Sequence, residues 1–482
     1  MSARRAVVLM RGARAIRQRL PVGIARNASA ALLGLALLAG GVASLLAGGL
    51  PMPPATPAAR GCILISIDTL RADHLGCYGY RFPTTPQLDR FRRDAVLFAT
   101  AIAQAPSTLA SHASMLTSLL LPQHGASYKR GTALASGVET LAQVLLAHGF
   151  RTLSFNEGGQ IGPEFGLGRG FERYRSAKVG PGTARLANQV APAILWLQRH
   201  PGAPFFLFLH TYQVHHPYTP DRQHLAMIEG ASYHGRLPAD QTPLEVLAGI
   251  NEGFLRLDAA DLRHVVATYD AQIRAMDDDF GGLVAFLRQH GLYDSTAIVF
   301  TSDHGEEFGE HGQVGWHSHT LYDELLRVPL LIKYPGGAHG GETVPEQVRG
   351  IDVAPTVLAV LGVPSPGGFA GLDLTPLALR RPEPERLAVS NLDGGGVAAI
   401  RSRRWKLIRS HLFDLARDPG ETRDVSAGHA DVAAYLEQRR EAQLAAAPNR
   451  LGPAAAFGDE ATAALAALGY VAAGVPARGP KR

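Results

Sequence analysis

The sequence predicts an α/β fold: a central, mostly parallel sheet flanked by helices, with a small α+β subdomain towards the C-terminal end. Three short apolar, β-rich runs carry this reading, at residues 62–67, 205–209 and 297–301. Uninterrupted runs of this kind are typical of strands buried on both faces. Helical patterns at 138–148 and 265–289 alternate with them, and that alternation implies a sheet covered by helices on both sides. Each run leads directly into polar, ligand-type residues, and in such sheets reactive groups gather at the carboxyl ends of strands.

The remaining elements follow in order. Residues 1–28 are basic, 29–50 form an uncharged apolar run, and 51–60 are Pro-rich and read as an extended linker. A catalytic domain is expected over 61–375, closed by a helix starting near 351–356 and a Pro- and Gly-rich stretch at 363–371. Residues 220–262 read as an insertion near a pocket mouth. The small subdomain and tail span 376–482, with short strands at 397–401 and 405–409, a helix at 429–443 and an Ala-rich end at 454–473.

Charge is unevenly placed. Residues 1–60 hold eight arginines and no acid, and subtracting those eight from the formal +5 leaves −3 for the rest. The basic excess therefore belongs to the leading segment. No basic stripe interleaved with aromatics is present, which argues against nucleic-acid binding. The two cysteines, Cys62 and Cys77, read as free thiols.

The run at 29–50 is long enough to cross a bilayer, for which roughly 20 residues are needed. Arginines before it and few charges after it keep the N-terminus in the cytoplasm and send the body across. A cleaved signal peptide is the alternative, with small residues at 55–59 as a cleavage site. Either way the body is expected outside the cytoplasm, periplasmic or extracellular.

The chemistry-bearing residues follow the strands. Asp68 ends the first run and suits a divalent metal, or else caps the next turn. Arg71 and Asp73 read as a pair. After the third run, Asp303 and His304 offer a carboxylate and an imidazole to one cation, and Gly305 permits a sharp turn. Hydroxyls crowd at 107–118, where a helix N-terminus suits an anionic ester. A metal-activated Thr or Ser oxygen there is a competent nucleophile, and N-capping by Ser107 or Thr108 is the structural alternative. His210, His215 and His216 follow the second run, one of them expected to be structural. In the Gly-rich loop beyond, His317 or His319 can protonate a leaving oxygen.

Residues 65–79, 106–118, 205–218, 301–312, 317–335 and 348–362 resemble, in order, the segments of bacterial sulfatase-family enzymes of the alkaline-phosphatase-like superfamily. Residues 405–408 and 412–421 resemble the family's small C-terminal domain, and Leu468-Gly469-Tyr470 its tail. The resemblance implies an alkaline-phosphatase-like fold and metal ligands at Asp68, Thr108, Asp303 and His304. It puts Thr108 at the nucleophile, and His215 and His317 at the substrate or leaving group.

The sequence departs from the family pattern where a sulfatase carries the Cys or Ser that becomes formylglycine. Here the site reads Thr108-Leu-Ala-Ser-His112, with His112 in place of the Arg and Thr69 in place of a second Asp. The resemblance thus implies one divalent ion (Ca, Mn or Zn), with His112, His215, His317 and His319 facing the substrate. A Thr sulfate ester cannot expel sulfate by elimination as an aldehyde hydrate can, which shifts the expectation towards phospho-esters. The expected function is a metal-dependent hydrolase of sulfate or phosphate esters, on an anionic substrate that can be glycan or lipid. The alternatives are a membrane-anchored phospho-head-group transferase and a catalytically silent glycan-binding relative.

Overall fold

A computed structural model describes residues 59–177, 183–229 and 233–470. The expected basic segment and apolar run at 1–50 lie outside the described residues. Among the described residues no helix is long and apolar enough to cross a membrane.

The main sheet is built from β1 (Gly61–Ile67), β2 (Val96–Ile102), β3 (Arg151–Asn156), β4 (Arg173–Ser176), β5 (Phe205–Thr211) and β6 (Thr296–Ser302). A short hairpin of β7 (Glu307–Phe308) and β8 (Val314–Trp316) follows, then β9 (Arg327–Val328), β10 (Leu330–Lys333) and β11 (Thr343–Arg349). The strand order is β11-β2-β10-β6-β1-β5-β3-β4, with β9 paired to β2. Every neighbouring pair on this path is parallel except those made by β10, which runs antiparallel to both β2 and β6.

The three apolar runs are the adjacent central strands β5, β1 and β6, and their alternation supplies two cores. Cys62, Leu64, Phe206, Phe208, Ala297 and Val299 face one side, with the helices Thr108–Thr117, Leu141–Ala147 and Val353–Val360. Ile63, Ile65, Leu207, Leu209, Ile298 and Phe300 face the other, with the helices Leu186–Arg199 and Ala259–Gln289. Each Leu, Ile, Val or Phe among them, fully buried, contributes about 1.5–3 kcal/mol. Helix starts follow their caps: Thr140 accepts from Gln143 N–H in a capping box, and Asp258 caps the long helix through Ala260 and Asp261 N–H. Cys62 and Cys77 are free.

The expected insertion contributes two helices, Arg222–Glu229 and Leu244–Asn251. The first packs Leu225 and Ile228 on Ala267 and Ala271 of the long helix. Leu247, in the second, lies beside Gly315 and Tyr218.

A four-stranded antiparallel sheet follows, with β12 (Ala388–Asn391), β13 (Ala398–Arg401), β14 (Trp405–Ile408) and β15 (His411–Asp414). The helix Ala430–Ala445 packs on it through Leu436. Lys406, fully buried, bridges Asp323 and Glu421 at 2.8 Å each and ties this sheet to the loop after His319. The chain then returns to the large sheet's side: Arg450 N–H donates to Pro122 O, and Ala133 N–H to Pro453 O, both at 2.8 Å.

The last helix, Asp459–Ala467, ends in a Schellman turn. Gly469 takes the left-handed conformation at φ 80°, its N–H donates to Ala466 O, and Tyr470 N–H donates to Leu465 O. Leu465 and Leu468 are buried, so the turn is anchored and Tyr470 is carried inward.

Candidate active site

Parallel register sets the site. Ile67 pairs with both Thr211 and Ser302, so Asp68, Tyr212 and Asp303 leave the sheet at the same level. Thr69 holds a left-handed φ of 56°, a cost of about 1–3 kcal/mol for a β-branched residue. Its carbonyl accepts from Tyr269 Oη, Arg71 N–H donates to the same Oη, and Leu70 N–H donates to Ser302 Oγ. These contacts fix the turn that aims Asp68.

Gly305 serves a different need from the sharp turn expected of it. A Cβ there would stand 2.0 Å from the Glu324 carbonyl oxygen, so glycine is required by a close approach of backbone.

Asp68, Thr108, Asp303 and His304 converge, all four fully buried. Thr108 Oγ1 lies 3.3 Å from His304 Nε2. His304 Nε2 is 3.5 Å from Asp303 Oδ2 and 3.9 Å from Asp68 Oδ1. Asp68 Oδ1 and Asp303 Oδ2 are buried without any hydrogen-bond partner. Two orphaned carboxylate oxygens beside an imidazole and a hydroxyl fit a divalent cation, because burying such acceptors unpaired is costly. Burial raises the Asp68 carboxyl to about 6 against the opposing pull of His304, and burial with Asp68 nearby raises Asp303. A cation would keep both ionised. His304 Nδ1 donates to Gly305 O at 3.0 Å, which leaves Nε2 as the ligand atom.

Thr108 opens its helix, and the capping alternative for Ser107 does not hold: its side chain makes no cap hydrogen bond and its Oγ is buried without a partner. One first-turn donor is nevertheless taken from outside the helix: Leu109 N–H donates to Gln160 Oε1 at 3.2 Å.

His112 lies within the same helix, one turn after Thr108. It is fully buried, Nδ1 donates to Thr108 O at 2.8 Å, and Nε2 meets Ser66 Oγ at 2.9 Å. Both ring nitrogens have partners within the protein, and Nδ1 also lies 3.4 Å from Asp303 Oδ2. His210, of the same trio as His215 and His216, is fully buried with Nε2 3.3 Å from Asp68 Oδ2. Arg71 pairs with Asp73 and Glu310, as its default reading has it.

His215, His216 and His317 form a second cluster, all buried. His215 Nδ1 donates to His216 O at 2.6 Å and His317 Nδ1 to Glu306 Oε1 at 2.9 Å. Both rings thus turn Nε2 inward. Burial holds His215 well below the usual histidine range and brings His317 down to about 4. Glu306, fully buried, also accepts from Tyr218 Oη at 3.0 Å. His319 stands at the rim, with Nε2 on Glu307 Oε2 at 2.8 Å, in a cleft shared with Lys129, Trp316 and Tyr470.

Two residues here escaped sequence reasoning. Glu306 sits in the 302–306 cluster but carried no assignment. Tyr470 places its Oη 3.1 Å from His215 Nε2 and 2.9 Å from His317 Nε2. Its local signal was Gly469, the helix-stop residue before an aromatic.

The model of the sulfatase family matches residues 61–363. Curated relatives agree. The chain is 27% identical over 297 residues to the multifunctional alkaline phosphatase superfamily protein PehA of Trinickia caryophylli, covering 52% of this chain and 57% of that protein. It is 26% identical over 395 residues to an ulvan-active sulfatase of Formosa agariphila, covering 75% and 76%. Among solved structures, the phosphonate monoester hydrolase of Agrobacterium radiobacter superposes with a TM-score of 0.67 at 20% identity, over 80% of this chain and 95% of that one. The fold and this site define an alkaline-phosphatase-like α/β protein. The chain belongs to the sulfatase family.

Proposed function

We propose that this chain is a divalent-metal-dependent hydrolase of sulfate or phosphate esters, with Thr108 as its nucleophile. The observation that carries the reading is Thr108 Oγ1 at the first position of its helix, 3.3 Å from His304 Nε2 and beside two orphaned carboxylate oxygens. Asp68, Thr108, Asp303 and His304 would hold the metal, of which Mn, Zn or Ca suits a set of three oxygens and one nitrogen. When bound, it lowers the hydroxyl's pKa and offsets charge on the reacting anion.

The chain's own groups do the rest. Thr108 attacks in line, and the positive end of its helix dipole attracts the anion. His215 and His317 line the opposite face with Nε2 inward, where they accept and relay protons. Lys129, Trp316 and His319 shape the mouth for an anionic ester, which glycan or lipid can present.

Without the aldehyde hydrate, the Thr108 ester must be opened by attack at sulfur or phosphorus. In-line attack at phosphorus suits this better, so phospho-esters are the favoured class. The likeness to PehA and to a phosphonate monoester hydrolase fits that preference, and the ulvan-active sulfatase keeps sulfated glycans in view. We also propose that residues 29–50 anchor the catalytic domain outside the cytoplasm, which protease accessibility in spheroplasts tests.

The test assays residues 61–482 with matched aryl sulfate, phosphate monoester and phosphodiester substrates, beside Thr108→Ala. A phospho-ester preference that vanishes in the variant supports the reading. Undiminished turnover in Thr108→Ala removes Thr108 from the chemistry. Transfer of the group to an acceptor alcohol without release of free anion would favour the transferase.

A further inference from the structure

We propose that Tyr470, delivered by the C-terminal segment, is the proton donor to the leaving oxygen; this rests on the hydrolase reading above. His215 Nδ1 is committed to His216 O, and His317 Nδ1 to Glu306 Oε1. In their neutral forms both rings therefore present Nε2 as an acceptor. Both Nε2 atoms converge on the Tyr470 oxygen, at 3.1 and 2.9 Å. One phenol proton thus faces two acceptors, and Tyr470 is the only donor among these three groups. The sequence-based expectation that His317 is the acid gives it a proton it does not carry on that side.

Tyr470 is also close to the reacting centre. Its partner His317 has its ring 4.6 Å from that of His304. Its position is built: the Schellman turn at Gly469 aims it, Leu465 and Leu468 anchor it, and its ring meets Tyr128 at 5.4 Å. Gly469 has no room to move, since a Cβ there would touch both Leu244 methyls at 3.2 Å.

The steps balance. In the first half, the Thr108 oxygen, entering as the alkoxide that a bound cation would hold deprotonated, bonds to sulfur or phosphorus, the bond to the ester oxygen breaks, and the Tyr470 proton passes to that oxygen. In the second half, water attacks and the Thr108 oxygen leaves as it arrived. A water proton passes to His317 Nε2 and from there back to the phenolate. No other reagent is consumed.

A phenol can protonate an alkoxide, but an aryl oxide that leaves unaided hardly needs it. Tyr470→Phe should therefore lose at least about 100-fold in kcat on alkyl esters and under about 10-fold on activated aryl esters, in keeping with the usual size of general-acid catalysis. The melting temperature should hold, because the ring still docks. Equal losses on both esters, a change in KM alone, or no loss would overturn the proposal. If Tyr470→Phe disturbs the fold, a fluorinated tyrosine at position 470 replaces it. Its lower phenol pKa should move the alkaline limb of kcat to lower pH, and an unmoved limb overturns the proposal. Thr108→Ala runs in parallel: turnover that survives there sinks the hydrolase reading itself, whatever Tyr470 does.

Discussion

Glu306→Gln changes one atom and asks whether this buried carboxylate sets the histidine face. Glu306 accepts from His317 Nδ1 at 2.9 Å and from Tyr218 Oη at 3.0 Å, and His216 Nδ1 stands 3.5 Å away. An amide of the same shape has one accepting oxygen, so one donor loses its partner. Hydrogen bonds to charged groups are worth about 1.5–3 kcal/mol each, and the variant should lose stability on that scale. If the amide N–H turns to His317, the ring must accept at Nδ1 and carry its proton on Nε2, pointing into the site. Losing such an orienting partner costs about 10–100-fold in activity, or roughly 1.4–2.7 kcal/mol at 1.36 kcal/mol per tenfold. The assay pairs kcat/KM and a thermal melt with nitrogen NMR of the histidines. Unchanged kcat/KM with His317 still protonated at Nδ1 would refute the reasoning.

Three further outcomes follow from the geometry. Gly305→Ala drives a Cβ into the Glu324 carbonyl at 2.0 Å; it should destabilise by about 1–3 kcal/mol or more and abolish turnover, as a melt and an assay would read. Chelation should remove activity, and divalent metal should restore it; Asp303→Asn should purify with little metal by elemental analysis. Asp277, whose oxygens accept from Gln87 and Leu88 N–H, is raised by burial from 3.8 to about 7. A carboxyl raised on folding stabilises fully below its unfolded value and loses that contribution as pH climbs through the folded one. The melting temperature of Asp277→Asn should therefore gain on that of the unaltered chain as pH climbs from 4 to 7.

Much of this architecture is written locally. Strands β1, β5 and β6 are buried on both faces, so they read as continuous apolar runs, and Asp68 and Asp303 stand where such strands deliver residues. The reversal of β10 is not written locally, because Leu330–Lys333 looks like any buried strand and its direction depends on its neighbours. The contacts of His112 are not written locally either, because sequence position shows that it follows Thr108 but not that its ring meets Ser66 of β1. Glu306 and Tyr470 escaped for a related reason. Their roles exist only once His317 folds over Glu306, and once a helix some 150 residues further on returns Tyr470 to the same histidines.

The central claim is that Thr108 carries the transferred group. Rapid quenching during turnover, followed by mass spectrometry of the peptide containing Thr108, tests it most directly. The account predicts a sulfate or phosphate ester on Thr108 that grows in and decays with substrate. Steady turnover with that peptide unmodified, or with the group on another residue, would contradict it.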